Sequence, residues 1–460
     1  MIHGRLEEIA TAIGAELRGE PAEFCGVGID TRSVPAGALF VALPGTRVDG
    51  HDYLAQAAAA GASAALVQRF VDCELPQLRC ASSERGLGTL AGHWRKGFAL
   101  PLVGITGSNG KTTVKTMLAQ ILQVSHRVLV TQGNLNNELG VPLTLCGLDP
   151  SHDFAVVEMG AGKPGDIAYL GDLARPDVSL LTNAGPAHLE GMGDLAGVAR
   201  TKGEIVEALG PAGVAILNAD DPFFDFWCGL AGSRRVISFG LEQPADVTAS
   251  WRSVSSGMQV TLATQPGEVS VTLRSRGGHN AANAAAATAA ALALGISLED
   301  IAAGLEAFEP VDGRLKFRAM PGGWQLLQDS YNANPASMSA GLKVLAAQPG
   351  QRWLIMGDMR ELGAEAEALH FQVGSEARRL GITRLFALGP LSRHSVAGFD
   401  SGSARHFASL DDLVAALGDA LTDASTGASM ADDSVVCLLK GSRGMQMERV
   451  VDALAERGLG

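Results

Sequence analysis

The chain reads as an α/β protein in three domains. A small mixed α/β N-terminal domain precedes a central P-loop ATPase-like parallel sheet with an antiparallel appendage, and a Rossmann-like C-terminal domain follows. Three observations predict this. A glycine-rich loop, Gly104 to Thr113, sits between an apolar strand and an amphipathic helix. Apolar runs ending in polar residues alternate with helical stretches from about Glu84 to Phe308, and again after Glu309-Pro310. Between Asp246 and Leu273 the period changes to two. With 460 residues, 47% of them hydrophobic, the chain can bury three cores, and the boundaries fall at 1–83, 84–309 and 310–460.

In the first segment Leu39 to Leu43 and Ala64 to Gln68 read as strands and Leu54 to Ala60 as a helix. In the second, strands are expected at Leu102 to Thr106, Arg127 to Thr131, Phe154 to Glu158, Val178 to Asn183 and Val214 to Asn218. Such alternation predicts a mostly parallel sheet with ligands at the carboxyl ends of its strands. Alternating residues Val247, Ala249, Trp251, then Met258, Val260, Leu262, then Val269, Val271, Leu273, separated by Ser256-Gly257 and Pro266-Gly267, predict an antiparallel meander. An alanine-rich helix follows, and Ser297-x-x-Asp300 reads as a capping box for the next. In the third segment strands are expected at Trp324 to Gln328, Arg352 to Met356, Arg384 to Leu388 and Val435 to Leu439, with an exposed loop at Asp423 to Asp433.

The loop spacing is G-x-x-G-x-x-G-K-T-T, with Ile105 where the strict phosphate-loop pattern has its first glycine. Its chemistry is still that of anion binding. Backbone amides of Gly107, Ser108, Asn109, Gly110 and Thr113 can curl around a phosphate, the following helix aims its positive end at it, and Lys111 adds a full charge. Thr112 is placed to ligate Mg2+. Val114, Met117, Leu118, Ile121 and Leu122 form the apolar stripe of that helix. Glu158 ends an apolar strand and offers a hard oxygen to Mg2+, and His188 lies just beyond another strand.

A net charge of -13 argues against a general nucleic-acid or anionic-membrane surface. Met1 to Leu17 carry Glu7, Glu8 and Glu16 and do not read as a secretory signal, and the alanine-rich run from Ala281 to Ile296 is too short and interrupted to span a bilayer. A cytoplasmic, monomeric protein is the expectation. The six cysteines form no C-x-x-C pair, which suits reduced thiols.

Taken together, T-G-S-N-G-K-T-T, G-N-L-N-N-E-L-G-V-P from Gly133, E-M-G-A at Glu158, N-A-G-P-A-H-L-E-G from Asn183, K-G-E-I at Lys202 and N-A-D-D at Asn218 resemble the Mur ligases of peptidoglycan synthesis. So do G-H-N-A-A-N from Gly278, Gly313-Arg314 and D-S-Y-N-A-N-P from Asp329, in family order over nearly the whole chain. Asp30-Thr31-Arg32, L-F-V-A-L at Leu39 and G-D-M-R-E-L-G from Gly357 look most like the member that adds D-alanyl-D-alanine to a UDP-muramoyl-tripeptide. The D-N-P-R block common in the sibling that adds the third residue is absent. Folylpolyglutamate synthetase shares the central and final domains but usually lacks this amino-terminal unit.

The resemblance implies ATP and Mg2+ as cofactors and an acyl-phosphate intermediate. It implies that Lys111 and Thr112 hold phosphate and metal, that Glu158, His188 and a carbamylated Lys202 ligate metal, and that Lys111, Lys202, His188 and Glu158 form the catalytic set. Asn137, Asn283, Arg314 and Asp329 would contact the nucleotide. Asp30, Thr31, Arg32 and Asn332 would contact substrate. Lys440 and Arg443, basic residues at the end of a strand, read either as a site for the dipeptide carboxylate or as a solvated basic turn. Gly162 stands where the family often has asparagine. A different class, a nucleotide sensor that ligates nothing, stays open at this point, and replacement of Lys202 separates the two.

Overall fold

The computed structural model describes residues 1–427 and 434–459. Near the amino end a five-stranded sheet runs Glu16–Arg18, Gln77–Arg79, Ala64–Val67, Leu39–Val41 and Val27–Gly28, beside a two-stranded ribbon of His3–Arg5 with Glu23–Cys25. The helix Leu54–Ala59 lies between two of these strands in the chain, and a helix Leu6–Ile13, which the sequence reading did not assign, buries Leu6, Ile9 and Ala10.

The central sheet has nine strands. Its parallel part runs Arg235–Gly240, Val214–Asn218, Val178–Leu181, Leu102–Thr106, Phe154–Glu158 and Val128–Val130. The meander Val247–Val254, Gly257–Thr264 and Gly267–Leu273 is antiparallel, as its period of two requires, and extends the same sheet. Arg235–Gly240, absent from the sequence reading, joins the two parts. From Leu102–Thr106 the chain first builds toward one edge and then returns to build toward the other. That strand therefore lies at a switch in strand order, where the carboxyl ends open a crevice.

The phosphate-loop helix Lys111–Gln123 buries Val114, Met117, Leu118, Ile121 and Leu122 against the alanine-rich helix Gly278–Ala293 and the helix Leu298–Glu306. Alanine is suited to that helix because it buries little side chain and lets backbones approach. On the helix Leu298–Glu306 a glycine allows the approach, since a Cβ at Gly304 would lie 2.3 Å from the Ile121 Cα.

The third sheet runs Lys316–Ala319, Gln325–Asp329, Val435–Lys440, Gln351–Gly357, Arg384–Leu388 and Ala404–Phe407, parallel but for its first pair. The loop expected at Asp423 to Asp433 is corrected in part: the helix Leu410–Gly427 continues through its first residues, and 428–433 lie outside the described residues. One apolar cluster runs unbroken from Ile2, Leu39 and Leu66 through Leu87 and Leu90 to Val157 and Ile205, so the first sheet and the central sheet share a core. The third sheet has cores of its own on its two faces. Among the described residues no helix is long and apolar enough to cross a membrane.

Gly304→Ala is expected to lower the stability of the central unit by about 1–3 kcal/mol, because the helix must back away from Ile121. Calorimetry should show an earlier central-unit transition and an unmoved third-unit transition.

Candidate active site

A cavity of about 800 Å³ lies between the phosphate loop and the third sheet. The loop's shape is held from the neighbouring strand. Ser108 N donates to the Asn183 carbonyl and Asn109 N to Asn183 Oδ1, both at 3.0 Å. Thr182 Oγ1 donates to the Asn109 carbonyl at 2.6 Å. Gly107 has φ +142°, and a Cβ there would strike Thr182 Oγ1, so that position is closed to side chains. The amides of Gly110 through Thr113, at the start of the helix, find no acceptor among the described residues. Lys111 Nζ meanwhile donates to the Gly107 carbonyl at 2.7 Å, and desolvation pushes its ammonium below the usual lysine range while Glu158 opposes this.

Glu158 is 2% exposed. Its Oε1 accepts from Asn136 Nδ2 at 2.8 Å, and its backbone N donates to Thr131 Oγ1. Oε2 has no hydrogen bond, although Lys115 Nζ lies 3.4 Å away; that ammonium donates instead to the carbonyls of Thr131 and Gly133. A buried, orphaned carboxylate oxygen beside a phosphate loop fits a hard divalent cation. Lys115, Thr131 and Asn136 were missed in the sequence because their role depends on Glu158, which lies well downstream of each of them. The block around Asn136 was the available signal.

Lys202, on the helix Leu195–Glu207, is 2% exposed, with no hydrogen bond or ion pair among the described residues. Desolvation, then the charge of Lys111, lowers its pKa to about 7. It does not line the cavity itself. Gly162 does, and a Cβ there would meet nothing within 4 Å, so the side chain missing at this position leaves open room.

Three polar contacts tie the third domain to the phosphate site. Arg314 Nη2 donates to Thr112 Oγ1 at 3.2 Å while its guanidinium stacks 3.9 Å above the Tyr331 ring. Asn334 Nδ2 donates to Asn109 Oδ1 at 2.9 Å. His188, at φ +56°, pairs through Nδ1 with Glu361 Oε2. Desolvation lowers the pKa of His188, with Glu361 opposing. Thus the metal-ligand role expected of His188 competes here with a carboxylate contact from the third domain.

Asn137 caps a short helix through Gly140 N, and Asn283 Oδ1 sits 2.5 Å from where a Cβ of Gly110 would be. Asn332 lies over the cavity, and its carbonyl accepts from Lys440. The expectation that Lys440 meets an external carboxylate needs correcting. Strand register places it opposite Asp329, and its ammonium is 2.5 Å from Asp329 Oδ2 in a buried pair. Burial pushes the Asp329 carboxyl up and the Lys440 ammonium down, and their pairing opposes both. Arg443 pairs with Glu448 at 2.5 Å. Asp30, Thr31 and Arg32 are not at this cavity; Arg32 clasps Asp30, whose pKa falls to about 2 through that side-chain hydrogen bond.

A phosphate loop at a strand-order switch, faced across a polar cavity by a second parallel-sheet domain, defines an ATP-dependent enzyme of the three-domain ligase class. Comparison with known proteins narrows this. Residues 23–84 match the Mur ligase family catalytic domain, 105–291 the Mur ligase middle domain and 313–443 the Mur ligase glutamate ligase domain. The chain is 44% identical over 461 residues, covering 100% of both, to the UDP-N-acetylmuramoyl-tripeptide--D-alanyl-D-alanine ligase of Escherichia coli (strain K12). It superposes on MurF from Acinetobacter baumannii with a TM-score of 0.91 at 35% identity, covering 98% of each chain. On the ADP complex of MurF from Thermotoga maritima the TM-score is 0.81 at 28% identity, covering 94% of this chain and 97% of that one. The chain belongs to the Mur ligase family.

Lys440→Met is expected to destabilise the third domain by about 3–5 kcal/mol, because Asp329 is left charged and buried. Adding Asp329→Asn should recover most of the loss. Urea unfolding of the two variants checks this.

Proposed function

We propose that this chain is an ATP-dependent amide ligase that joins D-alanyl-D-alanine to a UDP-N-acetylmuramoyl-tripeptide, the reaction named for its Escherichia coli relative. The supporting observation is the cavity in which the phosphate loop, the orphaned Glu158 oxygen and the third domain's Arg314 and Asn334 converge. Segments 1–83, 84–309 and 310–460 then serve sugar-peptide binding, ATP binding and delivery of the dipeptide, within a monomer.

A carboxylate resists amine attack because oxide is a poor leaving group. Attack of a tripeptide carboxylate oxygen on the ATP γ-phosphorus expels ADP and gives an acyl phosphate. The dipeptide nitrogen then adds to the acyl carbon, loses a proton, and the tetrahedral intermediate collapses with departure of inorganic phosphate. No nucleophilic side chain is required. Bringing two anions together opposes the first step by about 4 kcal/mol per charge pair at roughly 4 Å and an effective dielectric near ~20.

Lys111 counters this by exchanging the Gly107 carbonyl for a phosphate oxygen, while the free amides of Gly110 through Thr113 receive the rest of the anion. Arg314 moves from Thr112 to phosphate, which frees the hydroxyl. Thr112, Glu158 and His188 would hold Mg2+, which supplies further charge neutralisation when bound. Asn136 keeps Glu158 turned toward it. Asn137, Asn283 and Asp329 lie along the nucleotide, and Asp30, Thr31 and Arg32 bind the distant end of the sugar-peptide.

Lys202 is carbamylated in this reading. An amine with a pKa near 7 is largely neutral at physiological pH and so can add CO2, and the product is an anion facing Lys111.

Release of ADP and phosphate should require both the sugar-tripeptide and D-alanyl-D-alanine. Oxygen-18 placed in the tripeptide's terminal carboxylate should appear in the phosphate, and its absence there rules out the acyl phosphate. The pKa of Lys202 is depressed from 10.5, so the neutral amine is present above pH about 7 and protonated below it. A carbamate signal from carbon-13 bicarbonate should therefore fade as pH falls through that value and be missing in Lys202→Ala. That variant should lose ligation while retaining nucleotide binding.

A further inference from the structure

Among the described residues, four basic side chains of the third domain line the cavity: Arg314, Arg360, Lys440 and Arg443. Three are committed. Lys440 is paired with Asp329, Arg443 with Glu448, and Arg314 with Thr112 and the Tyr331 ring. Among the described residues the guanidinium of Arg360 has no carboxylate at ion-pair distance; its one polar contact there is Met445 Sδ, 3.6 Å from Nη2 and a weak acceptor.

Arg360 is nonetheless held in place. Its backbone N donates to Ser442 Oγ at 2.8 Å, and its guanidinium lies in a notch that exists because residue 444 is glycine. A Cβ on Gly444 would stand 2.6 Å from Arg360 Nη1. The next residue, Glu361, has φ +62° and reaches across to His188 of the central domain. This puts Arg360 at the seam between the third domain and the phosphate site, on the third-domain wall of the cavity.

We propose that Arg360 binds the terminal carboxylate of the incoming dipeptide and so selects a free acid at that end. The inference rests on the ligase reading and adds to it the residue that recognises the second substrate. The dipeptide must place its amine beside an acyl phosphate while its own carboxylate stays clear of the phosphates that repel it. A cation on the third-domain wall of the cavity, across from the phosphate loop and with no internal acid to satisfy it, suits both demands. The planar fork of arginine matches a carboxylate with two parallel hydrogen bonds, which a lysine cannot reproduce.

The test compares D-alanyl-D-alanine with its carboxamide on the wild type, Arg360→Gln, Arg360→Lys and Gly444→Ala. With the free acid, Arg360→Gln should raise KM for the dipeptide roughly 10- to 100-fold and leave KM for ATP and for the sugar-peptide unchanged. With the carboxamide the wild type and Arg360→Gln should be alike. Arg360→Lys should recover part of the loss, and Gly444→Ala, which displaces the guanidinium without removing it, should raise the same KM selectively. An equal loss on acid and carboxamide, a matching rise in KM for ATP, or no change overturns the proposal. If the wild type releases no ADP with D-alanyl-D-alanine present, the ligase reading fails first, and that outcome is separable because it precedes any variant.

Discussion

The grip of Thr182 and Asn183 on the phosphate loop is the constraint from which the rest of the site follows. A loop built of Gly107, Ser108, Asn109 and Gly110 has little intrinsic shape, and glycine loses more freedom on ordering than any other residue. Here the next strand supplies the missing restraint through hydrogen bonds to Ser108 and Asn109 on both backbone and side chain. With the loop fixed, the amides of the helix start point into the crevice at the strand-order switch. Glu158, one strand over, is brought beside them by parallel register, which pairs it with Ile105.

Buried charge divides the site into two kinds of group. Asp329 with Lys440, and Glu158 with Lys115 nearby, are ionisable side chains held close to an opposite charge, so burial does not strip them of all compensation. Lys202 has no such partner, and its surroundings favour the uncharged amine. The contrast explains how lysines within one fold can be held as a paired counterion in one place and favour the neutral amine in another. Sequence alone gives them the same letter.

Elements whose apolar residues are contiguous or strictly alternating were legible from sequence, which is why the central parallel strands and the meander lie where expected. Arg235–Gly240 escaped notice because arginine, serine and glycine interrupt its apolar residues, and its place in the sheet comes from neighbours on both sides. Lys440 was read toward the dipeptide carboxylate because its partner Asp329 is 111 residues away, and strand register cannot be seen in one strand. The ordered blocks carried the family, and comparison with relatives agrees with them over the full chain. What such blocks do not contain is the partner of each side chain. Asn136 and Lys115 stood unremarked beside residues that were noticed.

The joints between the three units differ in kind. Apolar side chains run without a break from the first sheet into the central one, whereas Arg314, Asn334 and Glu361 meet the central unit through a few polar bonds that water can replace. The first and second sheets thus share one bed, and the third is joined to it across a largely polar seam. A seam of that kind exchanges its bonds for water at little cost, so the third sheet's hold on the phosphate loop is the one a bound anion can take over.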